Sequence, residues 1–411
     1  MEGKPARARS GRLLLAGTAL ALALTLALGP RPAKAEEIEM VISSSHGIQI
    51  PWVTPLSKVI VERANARLEA AGSENRINWT ESYGGALYGY GDTLEAVADG
   101  VSDSGWVGSM WEESKMPYHS ITFYTPFTTD NPRLQAEIFN QLHETIAALP
   151  AEWEDNNTVF LGATVADTYH LYTKFPVTSL EDLKGRKILA PGPSATWMAA
   201  AGAVPVNGAL PTYYNQIETG VADGVLSIVT GAHPLKIQEV APHVTLVGLG
   251  SNLIGGFAVN KDVWDGLPED VQQVLRELGR EYSVMNADIL EERYNASIAE
   301  LEADPAVTLT TLSEQERQKW SAAMPDLAGQ WAAKLPEGKA VLDAYMAAAK
   351  AAGQPLARVV GRLGDTRQGR PFEPTFKPRL SLNPIRPSLR AGGRAQEETA
   401  RATAIRRPPS G

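Results

Sequence analysis

From Pro268 to about Ala303 the chain runs 36 residues with Gly279 as its one interruption by a helix-breaking residue type. Val271, Leu275, Leu278, Tyr282, Met285, Leu290 and Tyr294 keep an approximately helical beat through it. At 1.5 Å per residue such a helix is roughly 54 Å long, longer than one small lobe is wide. Its apolar spacing drifts from a strict heptad, so a strut lying across two lobes is expected rather than a coiled coil. Whatever the rest of the chain builds must give this rod two bodies to rest on.

The preceding segments read as alternating strands and helices. Ile38 to Ser44 is a strand, and Thr54-Pro55 opens a helix whose apolar positions Leu56, Val59, Ile60, Ala64 and Leu68 repeat before Gly72 stops it. Ile77 and Trp79 mark a second strand, Asp92 can cap a short helix carrying Leu94 and Val97, and Ser104 to Gly108 is a third strand. Pro132 begins a helix with Leu134, Ile138, Leu142 and Ile146 on one face, ending by Pro150. A second series follows: strands near Val159, His170 to Tyr172 and Lys187 to Leu189, with a capping-box pattern at Ser179-Leu180-Glu181-Asp182. Pro211 to Thr219 then reads as helix, and Gly224 to Ile228 and His243 to Leu246 as strands. Beyond the long helix, Ser313 caps another and Gly338 to Ala352 forms the last. The alternation predicts an α/β fold of mixed, mostly parallel sheets flanked by helices.

The start of the chain sets the compartment. Lys4, Arg7, Arg9 and Arg12 precede the apolar run Leu13 to Leu28, and Ala33-Lys34-Ala35 supplies a small-x-small cleavage pattern. The run is shorter than the ~20 residues that span a bilayer, so a secretory signal cleaved near Ala35 is expected rather than an anchor. About 375 residues then remain, enough for two lobes. With no cysteine in the chain, an exported protein is stabilised by burial alone. The net charge of -9 gives no nucleic-acid footprint. Residues 361–411 hold 11 Lys and Arg against 4 Asp and Glu, in a tail rich in Pro, Gly and Ser that should be disordered. It reads equally as a basic arm or as an appended end of the coding frame.

Common catalytic patterns fail one by one. In Gly100-Val101-Ser102-Asp103-Ser104-Gly105 a serine, Ser104, stands where a nucleophile elbow needs its second glycine. Gly89-Tyr90-Gly91 and Gly248-Leu249-Gly250 lack the third glycine of a dinucleotide fingerprint, which Leu94 and Leu253 replace, and there is no P-loop. The six histidines show no i, i+4 pair, so no metal is expected, and no cofactor. These absences argue for a non-enzyme, although catalytic groups distant in sequence would leave no motif.

Gly84-Gly85-Ala86-Leu87-Tyr88, Leu94 through Gly100 (LEAVADG), Asp182 through Ile188 (DLKGRKI), Glu218 through Gly224 (ETGVADG) and Asn260 through Pro268 (NKDVWDGLP) follow one another at set intervals. In that order they resemble the extracytoplasmic solute-binding proteins of tripartite ATP-independent periplasmic (TRAP) transporters, over about Ile38 to Ala352. The resemblance implies two lobes closing over a small organic acid in the periplasm and delivery to integral-membrane subunits. From the acidic balance of the chain no nucleic-acid partner is expected. The expected layout is lobe I over 36–160, completed by 248–265, lobe II over 161–247, the bridging helix over 266–304, a packed helical segment over 305–355 and the tail over 356–411.

The chain departs from the family where relatives grip a carboxylate. Many relatives end the Lys-Gly-x-Lys-Ile segment with an arginine, whose planar guanidinium makes two parallel charge-assisted bonds; here that position is Leu189. A second arginine of some relatives falls at Tyr169, and an asparagine at Ser227. Arg186 lies an odd number of residues from Leu189, so strand alternation points it to the opposite face. The expected cleft is therefore lined by Trp106, Tyr169, Leu189, Trp197, Leu210, Tyr213 and Ser227, with Trp52, Tyr88 and Trp111 at its rim. Plain core packing is the competing reading for each aromatic. Such a cleft suits a weakly charged or aromatic solute, or an acid held by hydroxyls and backbone donors. A ligand sensor for a membrane receptor kinase would have the same sequence features, and an exported hydrolase shares the signal and the lobes.

Overall fold

The computed structural model describes residues 36–352 and Gly3. The expected signal and cleavage site, and the tail beyond Ala352, lie outside the described residues. No described helix is long and apolar enough to cross a membrane.

Among the described residues, eleven strands form two sheets: β1 (Glu37–Ser43), β2 (Arg76–Ser82), β3 (Ser104–Val107), β4 (Thr158–Ala166), β5 (Tyr169–Thr173), β6 (Lys187–Leu189), β7 (Val204–Val206), β8 (Gly224–Ile228), β9 (His243–Leu246), β10 (Asn252–Asn260) and β11 (Thr308–Thr311). The first sheet has the order β2-β1-β3-β10-β4 and the second β11-β9-β5-β8-β6-β7. Every strand of the first sheet runs parallel except β10, and every strand of the second except β5. The fold is a two-lobed α/β architecture of mixed, mostly parallel sheets. β7 contains Pro205 and lies at a sheet edge, where the missing N–H breaks no ladder.

Those two odd strands are where the chain changes sheets. Between β4 and β5 only Asp167 and Thr168 intervene, and β9 returns to β10 through Val247 to Ser251. Both crossings are tied down by buried polar groups. Asp167 accepts from the Thr230 amide (3.2 Å) and hydroxyl (2.7 Å). Thr168 donates to Asp130 (2.6 Å) and accepts from the Gly250 amide (3.0 Å). His170 Nδ1 accepts from the amides of Val247 (3.0 Å) and Gly248 (3.1 Å). Its Nε2–H therefore donates to the Tyr294 hydroxyl, 2.9 Å away, which fixes a neutral tautomer. Burial holds its pKa down near 3.

Several details differ from the sequence expectation. β4 stays in the first sheet to Ala166, past the expected boundary at 160. β10 is buried along its whole length, so no alternation marks it as a strand. The helix begun at Pro132 ends at Thr145, before Pro150 as expected, but Pro150 itself sits in the first turn of a second helix, Ala148–Asp155, where its lacking N–H has no intrahelical partner to lose. β11, within the segment expected to be helical, pairs with β9.

The long helix spans Glu269–Ala303 and touches both sheets. Its single glycine explains how it lies so close to β4: a Cβ on Gly279 would sit 2.3 Å from the Leu161 carbonyl oxygen, and one on Gly162 would sit 2.1 Å from the Gly279 oxygen. Two glycines face each other so that helix and strand backbones can touch. Past this contact Tyr282 bonds Thr164 (2.8 Å), and Asn286 accepts from the Val165 amide (2.9 Å). Further along, Tyr294 meets His170 of the second sheet. One helix is thus hydrogen-bonded to both sheets.

Candidate functional site

The parallel strands of the first sheet end on one edge, and the loops beyond them carry aromatic side chains. β1 leads to His46 and Trp52, β3 carries Trp106 next to its last residue and continues to Met110 and Trp111, and β4 ends at Ala166 beside Ile254 at the start of β10. From the second sheet come Tyr169 at the start of β5, Ser227 and Ile228 at the end of β8, Pro191 after β6, and Ala209, Leu210 and Tyr213 after β7. All of these line one cavity, about 490 Å³ with the open solvent at its mouth included. Open α/β sheets take ligands outside the carboxyl ends of their strands, where loop side chains and free backbone groups converge. Here two such edges share one space.

Seven of the ten residues expected from sequence line this cavity: Trp52, Trp106, Trp111, Tyr169, Leu210, Tyr213 and Ser227. Three do not. Leu189 is fully buried inside the second sheet, and Pro191, two residues on, takes the lining position. Trp197 sits behind the wall: its Nε1–H donates to the Phe123 carbonyl (2.7 Å), and its ring meets Tyr169 edge to face at 5.9 Å. The Tyr88 hydroxyl is engaged by Ser43 Oγ at 2.7 Å, away from the lining. Arg186 does turn away, its guanidinium lying 4.3 Å from the Phe175 ring centroid.

The first-sheet wall is an aromatic cluster. The His46 ring is 5.4 Å from Trp52 and 5.2 Å from Trp106, both edge to face, and parallel to Trp111 at 6.1 Å. Trp106 also meets Trp111 at 5.6 Å, nearly perpendicular, and Tyr90 adds a tilted ring 5.4 Å from Trp111. Such edge-to-face pairs add stability beyond the area they bury. The Trp52 backbone is fixed as well: the Tyr282 hydroxyl donates to its carbonyl (2.8 Å) while accepting from Thr164. The long helix therefore positions one wall of the cavity.

Sequence reading missed His46, Met110, Ala166, Pro191, Ala209, Ile228 and Ile254. A lone histidine two residues past a strand carries no signal of its own, and the rest are small or aliphatic residues typical of any core. His46 is the one imidazole of the lining, and burial lowers its pKa to about 4. It is neutral at pH 7, with Ser45 Oγ 2.9 Å from its Nδ1. A histidine with a depressed pKa supports the fold above 6.5 and withdraws that support as pH falls toward 4, because the unfolded chain takes up the proton first. His46→Phe is expected to flatten part of the loss of thermal stability between pH 6.5 and 4. An unchanged melting-temperature profile would show that the ring is not held neutral.

No lining residue is Lys, Arg, Asp or Glu, and no group of described residues could hold a metal ion. The wall offers rings, three hydroxyls and indole N–H groups.

A cavity that neither sheet owns alone is what a two-lobed α/β binding fold presents. Residues 62–334, two-thirds of the chain, match the family described as bacterial extracellular solute-binding protein, family 7, and the protein belongs to that family. It is 28% identical over 164 residues to the C4-dicarboxylate-binding periplasmic protein DctP of Rhodobacter capsulatus, 39% of this chain and 48% of that one. It is 25% identical over 180 residues to the ectoine-binding periplasmic protein TeaA of Halomonas elongata, 43% of this chain and 52% of that one. The aligned stretches thus span about half the length of these curated relatives. Among solved structures, a TRAP solute-binding protein of Rhodoferax ferrireducens, in complex with copurified benzoate, superposes with a TM-score of 0.67 at 19% identity, over 77% of this chain and 98% of that one. The ectoine-binding protein of the Halomonas elongata TeaABC TRAP transporter gives 0.64 at 18%, over 77% and 100%.

Proposed function

We propose that this chain is the periplasmic solute receptor of a TRAP-type secondary transporter, capturing a small organic acid or a weakly charged or aromatic solute and passing it unchanged to integral-membrane subunits. The observation that carries this reading is the cavity lined from both sheets at their strand ends. A guest enclosed there is buried further than one lobe could bury it, and hinge motion would couple its capture to recognition by a membrane partner. Family membership and the TRAP proteins of like fold support the same reading. The signal at the start of the chain supports export, with a mature protein beginning near Glu36.

Denaturing the purified protein, identifying the released solute by mass spectrometry and adding it back tests this directly. The expected result is an intact solute whose return raises the melting temperature, by an amount equivalent to about 2.7 kcal/mol at a hundredfold excess over its dissociation constant. Recovery of a chemically altered product would instead make the protein an enzyme. Intact mass of the exported chain gives the cleavage site.

A further inference from the structure

Two donors in the cavity wall have nothing to donate to. Trp52 and Trp106 both line the cavity and are 3% and 0% exposed, yet the Nε1–H of each has no acceptor among the described residues. The buried indoles of Trp153, Trp197, Trp320 and Trp331 each have one; the half-buried Trp79, which does not line the cavity, is a further indole without one. A buried N–H without a partner forfeits the hydrogen bond it made to water, so two side by side in one cavity call for an acceptor that the guest brings. The second observation is the lining's lack of any formal charge. A carboxylate moved there from water forfeits its hydration, with no cation to offset the loss.

We propose that the solute this cavity selects is an uncharged ring compound bearing a carbonyl-type acceptor, bound through the Nε1–H groups of Trp52 and Trp106, and that these two indoles determine specificity. The ring packs among the aromatic side chains, and the acceptor receives the two orphan donors. A carboxamide and its parent carboxylate have nearly the same shape and both accept hydrogen bonds, so the preference between them rests on charge. This rests on the receptor reading above and narrows its substrate class.

The test is calorimetry on the full mature chain at pH 7.5 with three matched pairs: benzamide and benzoate, phenylacetamide and phenylacetate, nicotinamide and nicotinate. At least one amide is expected to bind, with its acid at least tenfold weaker. Trp52→Phe and Trp106→Phe are each expected to weaken that amide about 3–10-fold, the worth of one hydrogen bond. The wild-type comparison stands by itself if a variant fails to fold. An acid binding as tightly as its amide, no binding by any amide, or amide affinity unmoved in both folded variants would each overturn the proposal. Tight acid binding would leave the receptor reading intact, whereas turnover of any of these compounds would end that reading instead.

Discussion

Gly162→Ala is expected to destabilise the folded chain by about 3 kcal/mol or more, the upper range for forcing extra atoms into a packed interior. The added methyl would sit 2.1 Å from the Gly279 carbonyl oxygen and 2.8 Å from its carbon, both backbone atoms of the long helix. No side-chain rotation relieves that clash, so helix and strand must move apart. Gly279→Ala presses on the same contact from the other side, 2.3 Å from the Leu161 oxygen. Gly266 is the control, because a Cβ there meets nothing within 4 Å. Denaturant titration of the three variants decides the matter: if Gly162→Ala tracks Gly266→Ala, the close approach of helix and strand is not what the structure describes. Since Tyr282 holds the Trp52 carbonyl from the same helix, solute affinity should fall together with stability.

The second large effect concerns a carboxyl that the cavity does not use. Glu152 accepts from the Tyr118 amide (2.8 Å) and lies 2.6 Å from His119 Nδ1. His119 is in turn 2.9 Å from His143, and the Trp153 indole N–H reaches both rings. Burial pushes the Glu152 pKa up to about 8, with Asp155 adding to the rise against the amides of Tyr118 and His119. Burial holds His119 down near 3, and His143 is lowered too. Between pH 4.5 and 8 the folded chain keeps a proton on Glu152 that the unfolded chain has released, so stability falls as pH rises through that window. Below 6.5 the two histidines act in the opposite sense, withdrawing stability as pH falls. Glu152→Gln carries a neutral amide in place of the protonated acid. Relative to the parent, the variant should gain on the order of 2–3 kcal/mol between pH 5 and 8. Parallel stability curves for the two proteins across that range would mean that Glu152 is ionised in the fold.

Much of this architecture was legible because local and long-range signals agree. The helical beat from Val271 to Tyr294 gave the strut, and the alternation of strands and helices gave both sheets. The capping pattern at Ser179 is present, with Asp182 accepting from the Ser179 amide at 2.9 Å. β10 escaped because burial on both faces erases alternation, and Gly255-Gly256 reads as a loop. In the site, aromatic residues just past strand ends pointed to the wall, but register could not tell Leu189, inside the sheet, from Pro191, on the lining. Trp197 was equally ambiguous, since only a fold shows that its N–H is already taken by Phe123. His46 and the orphan donors of Trp52 and Trp106 depend on which atoms lack neighbours, and no spacing rule encodes that.

The long helix bonds the first sheet at Tyr282 and Asn286 and the second at Tyr294, roughly 12 Å beyond Asn286 along its axis. A spine stitched to both covers of a book lets them swing but not drift apart. Probes paired across the cavity, between the Trp111 and Leu210 sides, should register any swing, while a pair set along the spine should stay silent.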